Sequence, residues 1–143
     1  MTKRPTPVHA ISSRRSGDPL RVLIVDDDRQ IAESLKEAVQ DLGDEVVVGF
    51  DGKDAVALAL ATAPDVVLLD LSLPDVDGVT VAGQLRLGRG LRALKIIAVT
   101  GYGDAEARLR TAAAGFDLHL TKPVRFGILE SVLDLLRSAP VSA

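Results

Sequence analysis

The sequence predicts an α/β fold: a doubly wound five-stranded parallel sheet covered by five helices. Three observations predict it. Apolar residues make up 47% of the 143 residues while aromatic ones make up only 3%, so the core is aliphatic, as in a parallel sheet buried on both faces. Short apolar runs alternate five times with stretches of helical spacing. The connections between them are short, and each strand–helix–strand crossover is expected to be right-handed.

Arg21–Val25 (RVLIV) reads as a buried strand. Ile31, Leu35, Ala38 and Leu42 then fall at helical spacing, and Gly43 stops that helix. Glu45–Gly49 is the second strand. Ala55, Leu58, Ala59 and Thr62 mark a second helix that closes before Pro64. Asp65–Leu69 is the third strand, Val79 to Leu87 a short third helix, and Leu94–Val99 the fourth strand. Ala105–Ala114 is an Ala-rich fourth helix ended by Gly115, and Phe116–Leu120 is the fifth strand. Ile128, Leu129, Val132, Leu133, Leu135 and Leu136 form the final helical stripe. The expected strand order is 2-1-3-4-5, the flavodoxin-like arrangement. Residues 20–138 make one domain. Residues 1–19, with Pro5, Pro7, Gly17 and Pro19 and no apolar period, read as a disordered leader, and residues 139–143 as a frayed end.

Composition excludes several chemistries. The chain has no Cys, which removes disulfides, Cys-ligated zinc, iron–sulfur clusters and thiol catalysis together. No apolar run approaches the length of about 18 residues that suggests a membrane span, and the first twenty residues lack the apolar stretch of a secretory signal. The expected location is cytoplasmic. The net charge of −3 is unevenly placed: residues 1–20 carry Lys3, Arg4, Arg14 and Arg15 against Asp18, a net +3, which leaves −6 on the remainder. An acidic body argues against direct nucleic-acid binding, because phosphate contacts need a basic face.

In an open parallel sheet, sites form at the carboxyl ends of the strands, near the reversal in strand order. Strand one ends in Asp26-Asp27-Asp28, strand three in Asp70, strand four in Thr100 and strand five in Lys122-Pro123. Carboxylates, one hydroxyl and one ammonium therefore converge on one rim. Crowded carboxylates repel and are tolerated around a hard cation. A set of oxygen ligands without His or Cys suits Mg²⁺ or Mn²⁺ rather than zinc. Such a site fits phosphoryl transfer, with a carboxylate as nucleophile, Lys122 neutralising phosphoryl charge and Thr100 donating a hydrogen bond to it. Asp28 reads as the N-cap of the first helix.

VLIVDDD at 22–28, VVLLDLSLPDVDG at 66–78, IIAVTGYG at 96–103 and GFDLHLTKPV at 115–124 resemble a response-regulator receiver domain of two-component signalling. The wording is nearest to receivers of hybrid kinases or to stand-alone receivers. The resemblance implies that Asp70 is the phosphorylated aspartate. It implies that Asp27 binds Mg²⁺ directly and Asp26 through water, that the Ser72 carbonyl is a further ligand, and that Lys122 pairs with the phosphoryl group. It makes Thr100 the switch hydroxyl and the peptide before Pro123 cis. It implies a histidine kinase or histidine phosphotransfer protein as donor, a downstream protein target, no direct nucleic-acid contact, no membrane, and no enzymatic turnover beyond the domain's own phosphorylation and slow dephosphorylation. The signalling face would be helix four, strand five and helix five.

One position departs from the family: His119 stands where an aromatic switch ring is usual, and Tyr102 is placed to share that role. Ser72 and Tyr102 flank the path of hydrolytic water in the family, and a small Ser with a bulky Tyr implies slow self-hydrolysis. No output domain follows in this sequence, which suits a stand-alone receiver or a piece of a larger protein. Two other readings are carried forward. One is a haloacid-dehalogenase-like phosphatase using Asp26 and Asp28, which leaves Asp70 idle. The other is an interaction module that works without phosphorylation.

Overall fold

The computed structural model describes residues 15–88, 91, 93–101, 103 and 105–138. Its elements follow in the order β1 (Arg21–Val25), α1 (Arg29–Asp41), β2 (Glu45–Gly49), α2 (Gly52–Thr62), β3 (Val66–Asp70), α3 (Gly78–Leu87), β4 (Lys95–Thr100), α4 (Ala105–Ala113), β5 (Leu118–Thr121) and α5 (Phe126–Ser138). The strands form one parallel sheet in the order β2-β1-β3-β4-β5, as the sequence predicts.

Side chains alternate across the strands with period two, and the alternation sorts the core into two layers. Leu23, Val25, Val67, Leu69, Ile96 and Ala98 face Ala55 and Ala59 of α2 and Val81, Ala82 and Leu85 of α3. Val22, Ile24, Val66, Leu68, Ile97, Val99 and Leu120 face Ala32, Leu35 and Val39 of α1 and Leu129 and Leu133 of α5. Among the described residues three helices start behind an Asp: Asp28 caps α1, Asp51 caps α2 and Asp77 caps α3, each accepting backbone N–H of the first turn. Gly43 and Gly115 leave α1 and α4 at a φ of 95°, where a Cβ would be strained.

Three strands have bounds that differ from those expected. β3 and β4 run one residue further, because Asp70 still pairs with Val99 and Thr100 with Thr121 in the parallel ladder. Their starts recede because Asp65 is used as a brace: its backbone exchanges bonds with Arg21 and Lys95, and its carboxylate accepts Arg21 N–H at 2.8 Å. β5 begins at Leu118 because Asp117 spends its carboxylate on Ile96 N–H (2.8 Å) and on Arg86 (2.7 Å).

Residues 15–19, which the sequence assigns to the leader, hold defined contacts. Gly17 N–H donates to Arg137 O (2.8 Å) and Ser16 Oγ–H to Ser138 O (2.5 Å) at the end of α5, and Leu20 is fully buried. A buried carboxylate organises this end. Asp44 accepts Leu20 N–H (2.9 Å) and two bonds from the Arg137 guanidinium (3.1 and 2.5 Å). Arg137 also pairs with Asp134. Among the described residues no helix is long and apolar enough to cross a membrane.

Asp44→Ala removes an acceptor whose side chain is fully buried and takes two bonds from Arg137, itself only 17% exposed. Breaking one side of such a pair costs about 3 kcal/mol. Urea unfolding is expected to show that loss, with a smaller one for Asp44→Asn, which keeps an acceptor for Leu20.

Candidate functional site

β1 and β3 are neighbours in the sheet, while the chain leaves them towards opposite edges, to β2 and to β4. The gap this opens above their carboxyl ends is where the acidic residues lie. Asp26 follows β1 directly. Its N–H donates to Gly49 O (3.1 Å) and its Oδ1 accepts Asp28 N–H (2.9 Å). Asp70 is the last residue of β3, and its Oδ1 accepts Ser72 N–H (3.0 Å). Both aspartates are buried, at 1% and 3% exposure, whereas Asp27 is exposed. Oxygens of Asp26, Asp27 and Asp70 lie within 4.8 Å of one another.

Lys122 reaches this cluster from the end of β5. Its N–H donates to Thr100 O (2.8 Å), and the peptide joining it to Pro123 is cis. Its Nζ lies 3.1 Å from Asp26 Oδ2 and 3.3 Å from Asp70 Oδ2. Burial holds the Asp26 pKa above 3.8 and the Asp70 charge adds to that, while Asp28 N–H and the Lys122 cation work the other way. Burial pulls Lys122 down, but the two carboxylates outweigh it and leave its pKa above 10.5.

The cluster remains incompletely satisfied. Asp26 Oδ2 is shut off from solvent and takes no well-directed hydrogen bond, although Lys122 Nζ is close. Three carboxylates facing one ammonium leave an excess of negative charge, and every donor atom is oxygen. The set fits a hard divalent cation.

The other residues predicted from sequence are spread around this centre. Thr100 is buried at the end of β4 and lines a groove of about 600 Å³ between α3 and α4, together with Ser72, Asp77, Arg110 and Thr111. Ser72 is exposed in the loop after β3. His119 is half-buried on β5, beside Ala98 of β4, and belongs to the α4 side rather than to the carboxylates: its Nδ1 is 3.1 Å from Thr111 Oγ1. Tyr102 lies outside the described residues.

Sequence reasoning missed Thr111 and Asp75. Thr111 sits on a helix read only as Ala-rich. Asp75 accepts Gly52 N–H (2.8 Å) and Lys53 N–H (3.0 Å), partners 23 and 22 positions earlier, beyond any local signal.

The family model described as the response regulator receiver domain matches residues 22–134. The chain is 38% identical over 122 residues to a Mycobacterium tuberculosis protein named probable transcriptional regulatory protein TcrX, covering 85% of this chain and 50% of that one. It therefore spans about half the length of the curated relatives it matches. Among solved structures it resembles a putative response regulator from Chloroflexus aurantiacus, at a TM-score of 0.79 and 30% identity over 85% of this chain and 100% of that one. It also resembles the receiver domain of the sensor histidine kinase PA1611 of Pseudomonas aeruginosa, at 0.77 and 26% over 85% and 100%. The latter was solved with a magnesium ion coordinated in its active-site cleft.

The raised pKa of Asp26 makes a prediction about pH. A carboxyl that binds its proton more tightly when folded lowers stability as pH rises from the unfolded value of 3.8 through the folded one, and the loss persists above it. Asp26→Asn keeps the oxygen that accepts Asp28 N–H and removes the charge. In metal-free buffer at pH 7 it is expected to melt above the wild type, with the difference vanishing below pH 3.8, as thermal melts across pH would show.

Proposed function

The chain belongs to the response regulator receiver domains, and from that premise we propose that it is a phosphoacceptor whose Asp70 takes a phosphoryl group in a Mg²⁺-dependent reaction. The observation that carries this reading is the arrangement of Asp26 and Asp70, buried side by side under the Lys122 ammonium at 3.1 and 3.3 Å, with an oxygen of Asp27 close to both. Asp26, Asp27, Asp70 and the Ser72 carbonyl would hold the cation, which supplies charge neutralisation between the carboxylates and the incoming phosphoryl oxygens. The magnesium in the cleft of the related PA1611 receiver supports the same assignment.

The free Asp70 oxygen is the nucleophile. With a phosphohistidine donor, a P–O bond to Asp70 forms as the P–N bond breaks, and the imidazole nitrogen keeps the electron pair. Asp70 Oδ1 is anchored by Ser72 N–H, which leaves Oδ2, the oxygen nearest Lys122, for attack. Lys122 then exchanges a carboxylate contact for a phosphoryl one, so its charge is in place before the transfer and little reorganisation is needed. Thr100 donates its hydroxyl proton to a phosphoryl oxygen. Its movement changes the packing against α4, and the contact between His119 and Thr111 joins β5 to α4, so both move as one face with α5.

The donor is a histidine kinase or a histidine phosphotransfer protein, and the output is a protein contact made in the cytoplasm. An acidic body favours that over nucleic acid, although relatives twice as long include one named as a DNA-binding regulator. A haloacid-dehalogenase-like reading gives no task to Asp70, which Lys122 contacts as closely as it contacts Asp26.

Two outcomes are expected. With acetyl phosphate and Mg²⁺, the chain acquires a hydroxylamine-labile phosphoryl group that Asp70→Asn abolishes and Lys122→Ala slows about hundredfold. With beryllofluoride and Mg²⁺, amide exchange changes over residues 105–122, and Thr100→Ala removes that change while leaving the labelling.

A further inference from the structure

The β3–α3 loop, residues 71–77, carries Ser72 away from the acidic cluster and back. Its ends are tied by backbone: Leu71 N–H donates to Val99 O (3.2 Å), and Gly78 N–H donates to Leu71 O (3.4 Å). Its middle is tied to a different element. Asp75 Oδ1 accepts Gly52 N–H at 2.8 Å and Oδ2 accepts Lys53 N–H at 3.0 Å. These are first-turn donors of α2, which its own cap, Asp51, leaves alone while it accepts Asp54 N–H. A helix start offers unpaired N–H groups and the positive end of the dipole, so one carboxylate satisfies two donors at once.

The approach is close enough to demand glycine. A Cβ on Gly52 would fall 2.9 Å from Val76 Cβ, 3.0 Å from Val81 Cγ2 and 3.3 Å from Asp75 Oδ1. The loop therefore lies flush on the first turn of α2. Asp75 is exposed and would be hydrated without these bonds, so what they fix is the loop. They fix it to the β2–α2 turn, which starts at Gly49, the residue whose carbonyl accepts Asp26 N–H. Both arms of the acidic cluster are thus referred to one piece of backbone.

We propose that Asp75 is a positioning residue for the divalent-cation site: by capping α2 from outside, it holds the loop that carries Ser72 in one conformation and so sets the affinity of the site. The inference rests on the phosphoacceptor reading above, in which Ser72 contributes a carbonyl ligand. Groups that orient a ligand from behind typically change metal affinity by about ten- to a hundredfold when removed.

Calorimetric titration of the whole chain with Mg²⁺, together with amide exchange in metal-free buffer, tests the proposal. Asp75→Ala is expected to bind Mg²⁺ about tenfold more weakly and to exchange faster at Gly52, Lys53 and Ser72. Asp75→Asn removes the same charge but keeps one acceptor, and recovers part of the affinity. Gly52→Ala pushes the loop outward with no change of charge, and also weakens binding. If Asp75→Ala binds like the wild type, or if the Ala and Asn variants weaken equally while Gly52→Ala does not, the positioning role is overturned. Wild type that fails to bind Mg²⁺ at millimolar concentration overturns the phosphoacceptor reading and this inference with it, whereas unaltered variants beside a binding wild type sink the inference alone.

Discussion

The rest of the site depends on the contact between one ammonium and two buried carboxylates. Asp26 and Asp70 end adjacent strands, and the sheet leaves them no room to separate. Burial, with the Asp70 charge beside it, pushes Asp26 towards protonation. Lys122 offsets part of that cost at 3.1 and 3.3 Å, and its own pKa rises in return. The offset is incomplete, since the Asp26 pKa remains raised. A pocket left in that state is stabilised by whatever brings further positive charge, and it is poised to do so without rearranging its backbone. Stability is given up locally in exchange for a preorganised field.

The sheet makes this arrangement possible through register. In a parallel ladder the strands run in one direction, so their carboxyl ends share one rim. Asp70 pairs with Val99 and Thr100 with Thr121, so both residues are held by ladder bonds rather than by loops. Their geometry is as rigid as the core beneath them. Lys122 follows within two residues of the ladder's last pair and donates to Thr100 O. The β3–α3 loop runs beyond the ladder, and Asp75 braces it from outside.

Legibility in the sequence followed the range of the interactions. The elements could be read from short apolar runs and helical spacing, signals carried within a few residues, and the strand order from the topology rule. Asp28 as a cap could be read because its partners are two and three residues away. The rim residues could be read because strand ends are local and the topology rule is general. Strand starts were misjudged where Asp65 and Asp117 divert their carboxylates to other strands. The ordering of residues 15–19 was invisible because it depends on α5, more than a hundred positions later. Asp75 looked like one acidic residue among several in a loop, and nothing near it in sequence announces the helix start that it serves.

His119 shows how a substitution that looks like a change of mechanism is constrained by its surroundings. A histidine on β5 suggests a titrating switch, since imidazole changes charge near neutral pH. The Thr111 hydroxyl has a single proton, and it donates that proton to Arg108 O at 3.0 Å. Towards Nδ1, at 3.1 Å, the hydroxyl can then act only as acceptor, so Nδ1 carries the hydrogen. The contact links β5 to α4. Whatever moves α4 must carry β5 with it or break a hydrogen bond, which is the service an aromatic ring would perform by packing alone.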